Sequence, residues 1–352
     1  MPEFSDPETG NDLPEVSVVV PVRNEAEHIG ECLDSVFANR YPEEKLELLV
    51  VDGRSNDGTR EIVKDYKKRE GPEVNLLDNP KKIVPTAMNI GIEAATGEVI
   101  LRIDGHSYVA KDFISNSVES LQQHDEVEAV GGPVKPIFNE NTTDRQRAVA
   151  LALASPIASG SARFSGKEGY VTTVSFGAYR ADVFDRYGDF DERFIRTQDY
   201  ELNYRIVRSG GRIYMNPKIE SHYYPRDSFG GLWSQYFQFG FWKTKVTKKY
   251  NELVSRGNLL PPIFYGLLLV LGVVGVFFNP ALWLFTAALG GYILTVSCFA
   301  ALKAREVQRL KLFPEVLIAL LAIHLSFALG FIKGLFIDLN GRPTLPWKGL
   351  RS

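Results

Sequence analysis

The sequence predicts an α/β domain with a mostly parallel sheet, followed by about three helices apolar enough to span a membrane. Three observations support this prediction. Short β-branched segments alternate with amphipathic segments over the first hundred residues, acidic residues follow the predicted strands, and the 44 residues of Leu259–Leu302 carry no charge. Alternating strands and helices at this spacing are typical of βαβ units. The chain therefore consists of two parts that meet near residue 258.

The charge balance of the whole chain hides this division. The 352 residues include 40 Lys and Arg against 43 Asp and Glu, with 45% hydrophobic residues. Such averages exclude a collagen, a long disordered chain and a basic nucleic-acid-binding protein. Residues 259–352 hold 8 basic and 3 acidic side chains, whereas the preceding residues hold 32 and 40. The two cysteines, Cys32 and Cys298, are interpreted as free thiols rather than a disulfide framework.

The first elements follow from β-branched and helical patterns. Residues 1–14 are polar and acidic and predict a disordered tail. Val16–Pro21 is a β-branched run that ends at a proline, which predicts a buried strand. A helix opens after Asn24-Glu25, because four apolar residues recur at helical spacing: Ile29, Leu33, Val36 and Phe37. Glu47–Val51 predicts the second strand.

The next elements repeat the same order. Residues 52–59 are turn formers, and Arg60–Lys68 predicts a helix. A third strand at Val74–Leu77, a helix at Pro85–Ala95 and a fourth strand at Glu98–Ile103 complete the pattern. In parallel sheets of this kind, ligands bind at the carboxyl ends of the strands.

Acidic residues occupy those carboxyl ends. Glu25, Asp52 and Asp104 each follow a predicted strand. Like charges repel and burial penalises them, so a divalent cation and nucleotide hydrogen-bond donors would explain the set. Asp104-Gly105-His106 could hold Mn²⁺, or Mg²⁺ through the carboxylate; the alternative is a capping Asp and a surface His. No P-loop or Gly-x-Gly-x-x-Gly motif follows the first strand, which disfavours ATPase and dinucleotide-binding functions.

A second acidic group lies at residues 189–205. Its helical part begins near Tyr200, which places Asp199 at a helix N-terminus, where the helix dipole favours the ionised carboxylate. A carboxylate there can accept a proton from a hydroxyl as a bond forms. The alternative is that Asp199 only caps the helix.

The charge-free region predicts a helical hairpin. Its spans are residues 261–278 and 281–302, with a turn at Asn279-Pro280, and the alternative is a buried helical core. A basic loop at residues 303–311 separates the hairpin from a third apolar segment, residues 316–337. That segment contains His324 and is either a third span or an interfacial or re-entrant helix.

The segment that precedes the hairpin, residues 229–258, combines eight aromatic residues with several lysines. This composition is typical of a membrane interface, and the alternative is a hydrophobic lid on the domain. The positive-inside rule places these lysines and the 303–311 loop in the cytoplasm, with the N-terminal domain. Three spans would place the basic C-terminal tail outside, which the same rule opposes.

Five motifs carry a family resemblance. They are Val18–Glu25, Val51–Thr59, Ala87–Gly91, Arg102–His106, and Gln198-Asp199 with Arg205. On these motifs the chain resembles glycosyltransferase family 2, inverting enzymes whose GT-A fold binds nucleotide sugars, over about residues 15–245. The most similar branch is the membrane-anchored exopolysaccharide glycosyltransferases of the succinoglycan type. Three positions depart from the family pattern. Gly53 replaces the second Asp that usually follows the position of Asp52, and His106 replaces the second Asp of the Asp-x-Asp motif. Gln198 replaces the Glu of the acidic dipeptide that ends at Asp199.

The resemblance implies roles for named residues. It implies donor binding by Pro21, Arg23, Glu25, Asp52, Asn89, Arg102 and Asp104. It implies metal binding by Asp104, His106 and His222, with Mg²⁺ or Mn²⁺ as the cofactor, and it makes Asp199 the catalytic base. Acceptor or gating roles fall to Gln198, Arg205, Gln238 and Trp242. The last two retain Gln and Trp of the Gln-x-x-Arg-Trp motif of processive synthases, although Phe241 replaces its Arg.

The predicted function is transfer from a nucleoside-diphosphate sugar, a UDP-sugar, to a polyprenyl-linked saccharide at the cytoplasmic face of the plasma membrane. The predicted domains are a catalytic domain over 15–228, an interfacial segment over 229–258 and a membrane domain over 259–352. The partners are the donor, the lipid-linked acceptor and the bilayer, without nucleic acid. Two alternatives stay open: a polyprenyl-phosphate sugar synthase, and a non-catalytic membrane subunit or transporter component.

Overall fold

The computed structural model describes residues 13–158, 164, 166–252 and 256–337. Most of the predicted N-terminal tail and the last residues of the predicted membrane domain lie outside these ranges. The chain divides into two compact units. The α/β unit comprises Met1–Lys135 and Gly166–Tyr223, and the helical unit comprises Pro136–Ser165 and Tyr224–Ser352.

Eleven strands form two sheets among the described residues. In chain order they are β1 Val16–Val22, β2 Leu46–Asp52, β3 Glu73–Asp78, β4 Val99–Arg102, β5 Ser107–Val109, β6 Val127–Gly132, β7 Val134–Pro136, β8 Gly169–Val171, β9 Ser175–Arg180, β10 Arg212–Met215 and β11 Ser221–Tyr223. The large sheet has the order β3-β2-β1-β4-β9-β6-β10-β8, and the small sheet has the order β5-β11-β7. Strands β3, β2, β1 and β4 are parallel neighbours, whereas β9 runs antiparallel to β4 and β6.

The described helices are numbered in chain order. They are α1 Ile29–Phe37, α2 Thr59–Tyr66, α3 Val84–Ala94, α4 Phe113–Gln123, α5 Asp144–Leu153, α6 Asp182–Tyr187, α7 Gln198–Arg208, α8 Phe229–Tyr250, α9 Leu260–Gly275, α10 Asn279–Glu306 and α11 Phe313–Leu335. Short 3₁₀ helices occupy Glu43–Lys45, Arg256–Leu259 and Leu310–Leu312. Helices α5 and α8–α11 belong to the helical unit. The predicted mostly parallel α/β domain, followed by three long apolar helices, is confirmed.

The core of the α/β unit lies around β1. Val18, Val19 and Val20 are completely buried, because β1 has neighbours on both sides and helices on its faces. Helix α3 approaches β1 so closely that a Cβ at Gly91 would overlap Val19 Cγ1. The register places Val22 opposite Asp52 and Val19 opposite Arg102, so the carboxyl ends of β1, β2 and β4 form one edge.

The helical unit contains three segments long and apolar enough to cross a membrane: Gly257–Gly275, Asn279–Glu306 and Leu310–Leu335. Helices α8 and α11 pack at backbone distance, because a Cβ at Gly240 would overlap the Phe327 carbonyl oxygen and a Cβ at Gly330 would overlap that of Phe237. Small residues allow this close approach in helix pairs of membrane proteins.

Candidate active site

The loops that follow β1 and β2 brace each other. The backbone N–H of Asn24 donates to Ser55 Oγ (2.8 Å), and that of Glu25 donates to Thr59 Oγ1 (2.9 Å). In return, the N–H of Asn56 donates to Asn24 Oδ1 (3.0 Å). Asn24 has φ 55°, a left-handed conformation that Asn tolerates better than most residues. The two loops therefore form a single rigid rim at the carboxyl edge of the sheet.

Asp52 lies at the end of β2 and its side chain is completely buried. Its carboxylate accepts the N–H of Ser55 (3.1 Å) and pairs with Arg60 Nη1 (2.7 Å). The same Arg60 nitrogen pairs with Asp78 at the end of β3 (2.6 Å). Arg60 was missed at the sequence level, although it stands one residue into a helix that begins close to an acidic strand end. Asp52 is thus held by protein partners.

Gly53 leaves room for Arg23. A Cβ at position 53 would lie 3.2 Å from Arg23 Cβ, so the stem of this exposed arginine passes directly over the glycine. Where the family that the sequence resembles usually has a second acid, this chain therefore has a glycine beside the aliphatic stem of an arginine. Pro21 is buried within β1 and shapes the strand end rather than offering a polar group.

Arg102 ends β4 and connects two acidic residues electrostatically. Its Nε and Nη2 both lie 2.8 Å from Asp104 Oδ1, and its side chain is 10% exposed. Burial alone would lower the pKa of Arg102, but the charges of Asp104 and Asp199 outweigh it and raise the pKa. A buried cation therefore interacts with both the predicted metal ligand and the predicted base.

His106 contacts the end of β1 rather than Asp104. Its Nδ1 is 3.1 Å from Glu25 Oε1. This bond, helped by the charge of Asp104, raises the pKa of His106 despite the opposing effect of burial. The imidazole therefore bonds the end of β1 in this structure, and its role as a metal ligand stays a prediction.

The described residues contain no group of three His, Cys, Asp or Glu side chains able to hold a metal ion. The predicted set of Asp104, His106 and His222 is therefore not assembled as a metal cage. His222 lies on β11 in register with Tyr108 of β5, and burial lowers its pKa. Asp104 remains as a carboxylate at the sheet edge, 24% exposed.

Gly105 permits close packing where β4 ends. A Cβ at this position would lie 2.6 Å from Val22 Cγ1 and 3.6 Å from Glu25 Cγ. The absence of a side chain at Gly105 therefore lets the ends of β1 and β4 pack closely, with Glu25 and Asp104 at the same edge of the sheet.

Replacing Gly105 by Ala is expected to destabilise the protein by about 1–3 kcal/mol, because the added methyl group overpacks a rigid strand end. The thermal midpoint and donor-induced stabilisation of the purified protein measure the effect. Gly30→Ala in α1 is the matched control, since its Cβ would lie 3.8 Å from Tyr66 Oη, an ordinary contact. Equal midpoints for the two variants would contradict the packing role of Gly105.

Asp199 is the second residue of α7 and is half-buried. The helix starts from Thr197, which has φ 58°, an uncommon conformation for a β-branched residue. Such strain is characteristic of functional sites, where the surrounding structure enforces it. The N–H of Tyr200 donates to Asp199 Oδ1 (2.8 Å), so the carboxylate lies against the first turn of the helix. Gln198 beside it is buried.

A buried polar pair stands in the same helix and the adjacent strand. Tyr179 of β9 donates its hydroxyl to Asn203 Oδ1 (2.9 Å), and Asn203 Nδ2 donates to Thr173 Oγ1 (3.0 Å). Burial, and then the charge of Asp199, raise the pKa of Tyr179, so the phenol stays neutral. Asn203 lies one turn after Asp199 and fixes the rotation of α7 against the sheet.

Asn89 and Arg205 hold the loop that leads to Asp199. Asn89 exchanges two hydrogen bonds of 2.9 Å with the backbone of Phe190. Arg205 donates to the carbonyls of Tyr187 (2.5 Å) and Asp189 (2.8 Å). It also pairs with the buried Glu201 at 2.9 Å. Both residues were predicted to contact substrates, and the structure shows them bound to backbone.

Gln238 and Trp242 lie on α8, within the helical unit. Gln238 Nε2 donates to Ser234 Oγ one turn earlier (3.3 Å), and the Trp242 ring lies 5.4 Å from the ammonium group of Lys245. Lys245 is 2% exposed and also lies over the Phe241 ring, so it is a desolvated cation held by aromatic faces.

Known proteins resemble the chain over most of its length. Residues 17–188 match the family model "Glycosyl transferase family 2". A protein of Methanococcus voltae, described as dolichyl N-acetyl-alpha-D-glucosaminyl phosphate 3-beta-D-2,3-diacetamido-2,3-dideoxy-beta-D-glucuronosyltransferase, is 30% identical over 325 residues, covering 91% of this chain and 97% of that protein. The succinoglycan biosynthesis protein ExoA of Rhizobium meliloti is 28% identical over 333 residues, covering 92% and 96%.

A solved structure shows the same fold. It is the mannosyltransferase PcManGT of Pyrobaculum calidifontis in complex with GDP-Man and Mn²⁺, with a TM-score of 0.56 and 21% sequence identity. The likeness covers 89% of this chain and 88% of that one.

Proposed function

The chain belongs to glycosyltransferase family 2, and on that premise we propose that it transfers a sugar from a nucleoside diphosphate sugar, a UDP-sugar, to a polyprenyl-linked saccharide at the cytoplasmic membrane face. It is a glycosyltransferase of surface glycan or polysaccharide biosynthesis. The observation that carries the proposal is the common edge of β1, β2 and β4, where Glu25, Asp52 and Asp104 stand. Arg102 couples this edge to Asp199.

The donor would bind over the braced loops after β1 and β2. These loops present Glu25 and the Arg23 stem at the carboxyl edge of the sheet. Asp52 would contribute to donor binding by holding this rim through its ion pair with Arg60. It would also contact the nucleoside if Arg60 moved away from it. Preorganised loops of this kind lower the entropic cost of binding a nucleotide.

A divalent cation fits the edge through Asp104. Mg²⁺ is commonly held by one or two carboxylates together with substrate phosphates rather than by an all-protein cage. A single carboxylate at the sheet edge therefore suffices with the donor's diphosphate oxygens, and no third protein ligand is needed. When bound, Mg²⁺ or Mn²⁺ would offset the negative charge that develops on the departing diphosphate.

Asp199 is the proposed base. Its carboxylate would accept the proton of the acceptor hydroxyl while the hydroxyl oxygen attacks the anomeric carbon, with inversion. Thr197, Asn89 and Arg205 position the start of α7 from three sides. Arg102 interacts electrostatically with this carboxylate and with Asp104.

Two features support a lipid-linked acceptor. The Methanococcus relative is named for a dolichyl-linked N-acetylglucosaminyl phosphate acceptor. Helix α8 carries aromatic residues and lysines, a composition suited to the headgroup region. The enzymatic alternative is transfer to polyprenyl monophosphate, an acceptor that is already anionic and needs no strong base.

A donor and acceptor screen tests the proposal. Nucleotide sugars with uridine and guanosine are first compared by thermal stabilisation of the purified protein with Mn²⁺, because bound donor raises apparent stability by mass action. The stabilising donor is then incubated with polyprenyl-linked saccharides and, separately, with polyprenyl monophosphate. Transfer to the monophosphate alone would replace the proposed acceptor with the alternative.

Removing the divalent cation is expected to abolish transfer. EDTA should suppress the reaction, and Mn²⁺ or Mg²⁺ should restore it. Asp104→Ala should lose the stabilisation that Mn²⁺ adds to donor binding. Asp112→Ala is the matched control, because this carboxylate is half exposed and forms its ion pair with the exposed Arg40. Undiminished Mn²⁺-dependent donor binding by Asp104→Ala would eliminate Asp104 as the ligand.

A further inference from the structure

Helices α9 and α10 form an antiparallel hairpin. Beside its turn, a Cβ at Gly275 would lie 3.0 Å from Leu282 Cα. Farther from the turn, the hydroxyls of Tyr265 and Tyr292 are 2.8 Å apart. These two contacts fix the direction of both helices. We call the end with the turn, residues 276–278, the hairpin tip, and the end where α9 begins the hairpin base.

Among the described residues, other helices cover the hairpin only at its base. Between residues 269 and 291, the buried residues are Gly275 and Ala281, both beside the turn. Around them, the side chains at the tip are widely exposed, as Phe277 (88%) and Trp283 (76%) show. In contrast, the base half of α10 buries three residues: Val296, Ala300 and Ala304. A third helix crossing the membrane beside the hairpin would also cover its tip half.

Helix α11 begins at the hairpin base. The N–H of Arg309 donates to the carbonyl of Ala304 in the last turns of α10 (2.9 Å), and a 3₁₀ helix then leads directly into α11. Eleven residues into α11, His324 Nδ1 lies 3.0 Å from the Tyr292 hydroxyl. The first half of α11 therefore runs beside α10 from the hairpin base to the middle of α10.

Helix α11 also ends beside the C-terminal turns of α8. Lys248 Nζ donates to the carbonyls of Leu335 (2.6 Å) and Ile337 (3.0 Å), which caps the helix end with a cation. One turn earlier, Thr244 Oγ1 donates to the carbonyl of Phe331 (3.1 Å). The end of α11 is therefore fixed to the end of α8.

The end of α8 is in turn fixed to the start of α9. Lys243 Nζ lies 3.4 Å from Asn258 Oδ1, just before α9 begins. The N–H of Glu252 folds back to the carbonyl of Thr247 (3.3 Å), which leaves four residue steps to Arg256. Four steps span at most about 14 Å, less than half of the bilayer core of about 30 Å. The end of α8, and with it the end of α11, therefore lies on the base side.

We propose that α11 lies along the membrane surface at the hairpin base, so that the chain crosses the bilayer twice. Its 23 residues are long enough to cross, but both ends are fixed at the same side. One face packs on α8 and α5. A second face is apolar and exposed at Ile318 and Leu329, which suits the boundary between headgroups and acyl chains.

This arrangement changes the assignment of the C-terminus. With three spans, the basic residues Arg342, Lys348 and Arg351 would lie outside. With two spans, they follow α11 on the base side, together with the basic 303–311 loop, as the positive-inside rule favours. The surface partner of α8 and α11 is the cytoplasmic leaflet.

Cysteine labelling tests the two-span topology. Single cysteines are placed at Phe277 in the tip, Val307 in the basic loop and Phe336 after α11, in a Cys298→Ser background; Cys32 is buried. Membrane vesicles of known orientation that contain the full chain are treated with an impermeant maleimide before and after permeabilisation. We expect Phe277→Cys to label from the face opposite to Val307→Cys, and Phe336→Cys to label with Val307→Cys.

Labelling of Phe336→Cys from the same face as Phe277→Cys would overturn the proposal. A tandem reporter fused after Ser352 gives an answer even if lipid shields position 336. Fluorescence of a cytoplasmic-only fluorescent protein supports two spans, and activity of a periplasmic-only alkaline phosphatase contradicts them. Both outcomes are independent of transferase activity.

Discussion

Asp199→Asn is expected to lower the rate of sugar transfer by about 10²–10⁴-fold, the usual contribution of a positioned general base. The substitution keeps the size of the side chain and the N–H···O contact from Tyr200, so α7 should stay folded. Donor binding should persist, because Asp199 stands at the helix start rather than on the donor loops. Single-turnover transfer and donor-induced thermal stabilisation, measured on the same protein, separate the two effects.

The matched control is Asp185→Asn, which neutralises an exposed carboxylate on α6. Its transfer rate should equal that of the unmodified chain. A near-normal rate for Asp199→Asn with a polyprenyl monophosphate acceptor, but not with a hydroxyl acceptor, would indicate an anionic nucleophile. A near-normal rate with every acceptor would remove Asp199 from the mechanism.

The backbone scaffold of the site could be predicted from sequence, because it depends on local patterns. β-branched runs located β1, β2 and β4, and parallel pairing necessarily placed Glu25, Asp52 and Asp104 at one edge. The long charge-free run likewise predicted the apolar helices. These signals are periodic or compositional, so they can be identified in the sequence without knowledge of tertiary contacts.

Side-chain partners could not be predicted, because they join residues far apart in sequence. The bonds from Asn89 to Phe190 cross 101 residues, and Arg102 couples to Asp199 across a similar interval. Asn89 and Arg205 bind backbone of the loop before α7, contacts that no local pattern indicates, and their roles toward donor and acceptor stay predictions. The grouping of residues 136–165 with the C-terminal helices could not be predicted for the same reason, because it depends on contacts between residues far apart in sequence.

Arg60→Met is expected to destabilise the protein strongly, because it leaves the completely buried Asp52 without its counterion. Removing one member of a buried pair typically costs about 3–5 kcal/mol. We expect a loss near the lower end of this range, because the N–H of Ser55 still donates to the Asp52 carboxylate. Calorimetric unfolding in detergent measures the change. Arg69→Met is the control, since its pair with Asp34 is exposed on both sides and such pairs contribute about 0–1 kcal/mol.

A double variant separates stability from donor recognition. Asp52→Asn combined with Arg60→Met removes the buried charge together with its partner, so most of the lost stability should return. If Asp52 also contacts the nucleoside, the refolded double variant will still fail to gain stability from donor and Mn²⁺. If it gains stability normally, Asp52 acts only by holding Arg60 and the rim. Arg60 also pairs with Asp78 at the end of β3. If the double variant remains unstable, the main structural role of Arg60 is therefore to link the ends of β2 and β3.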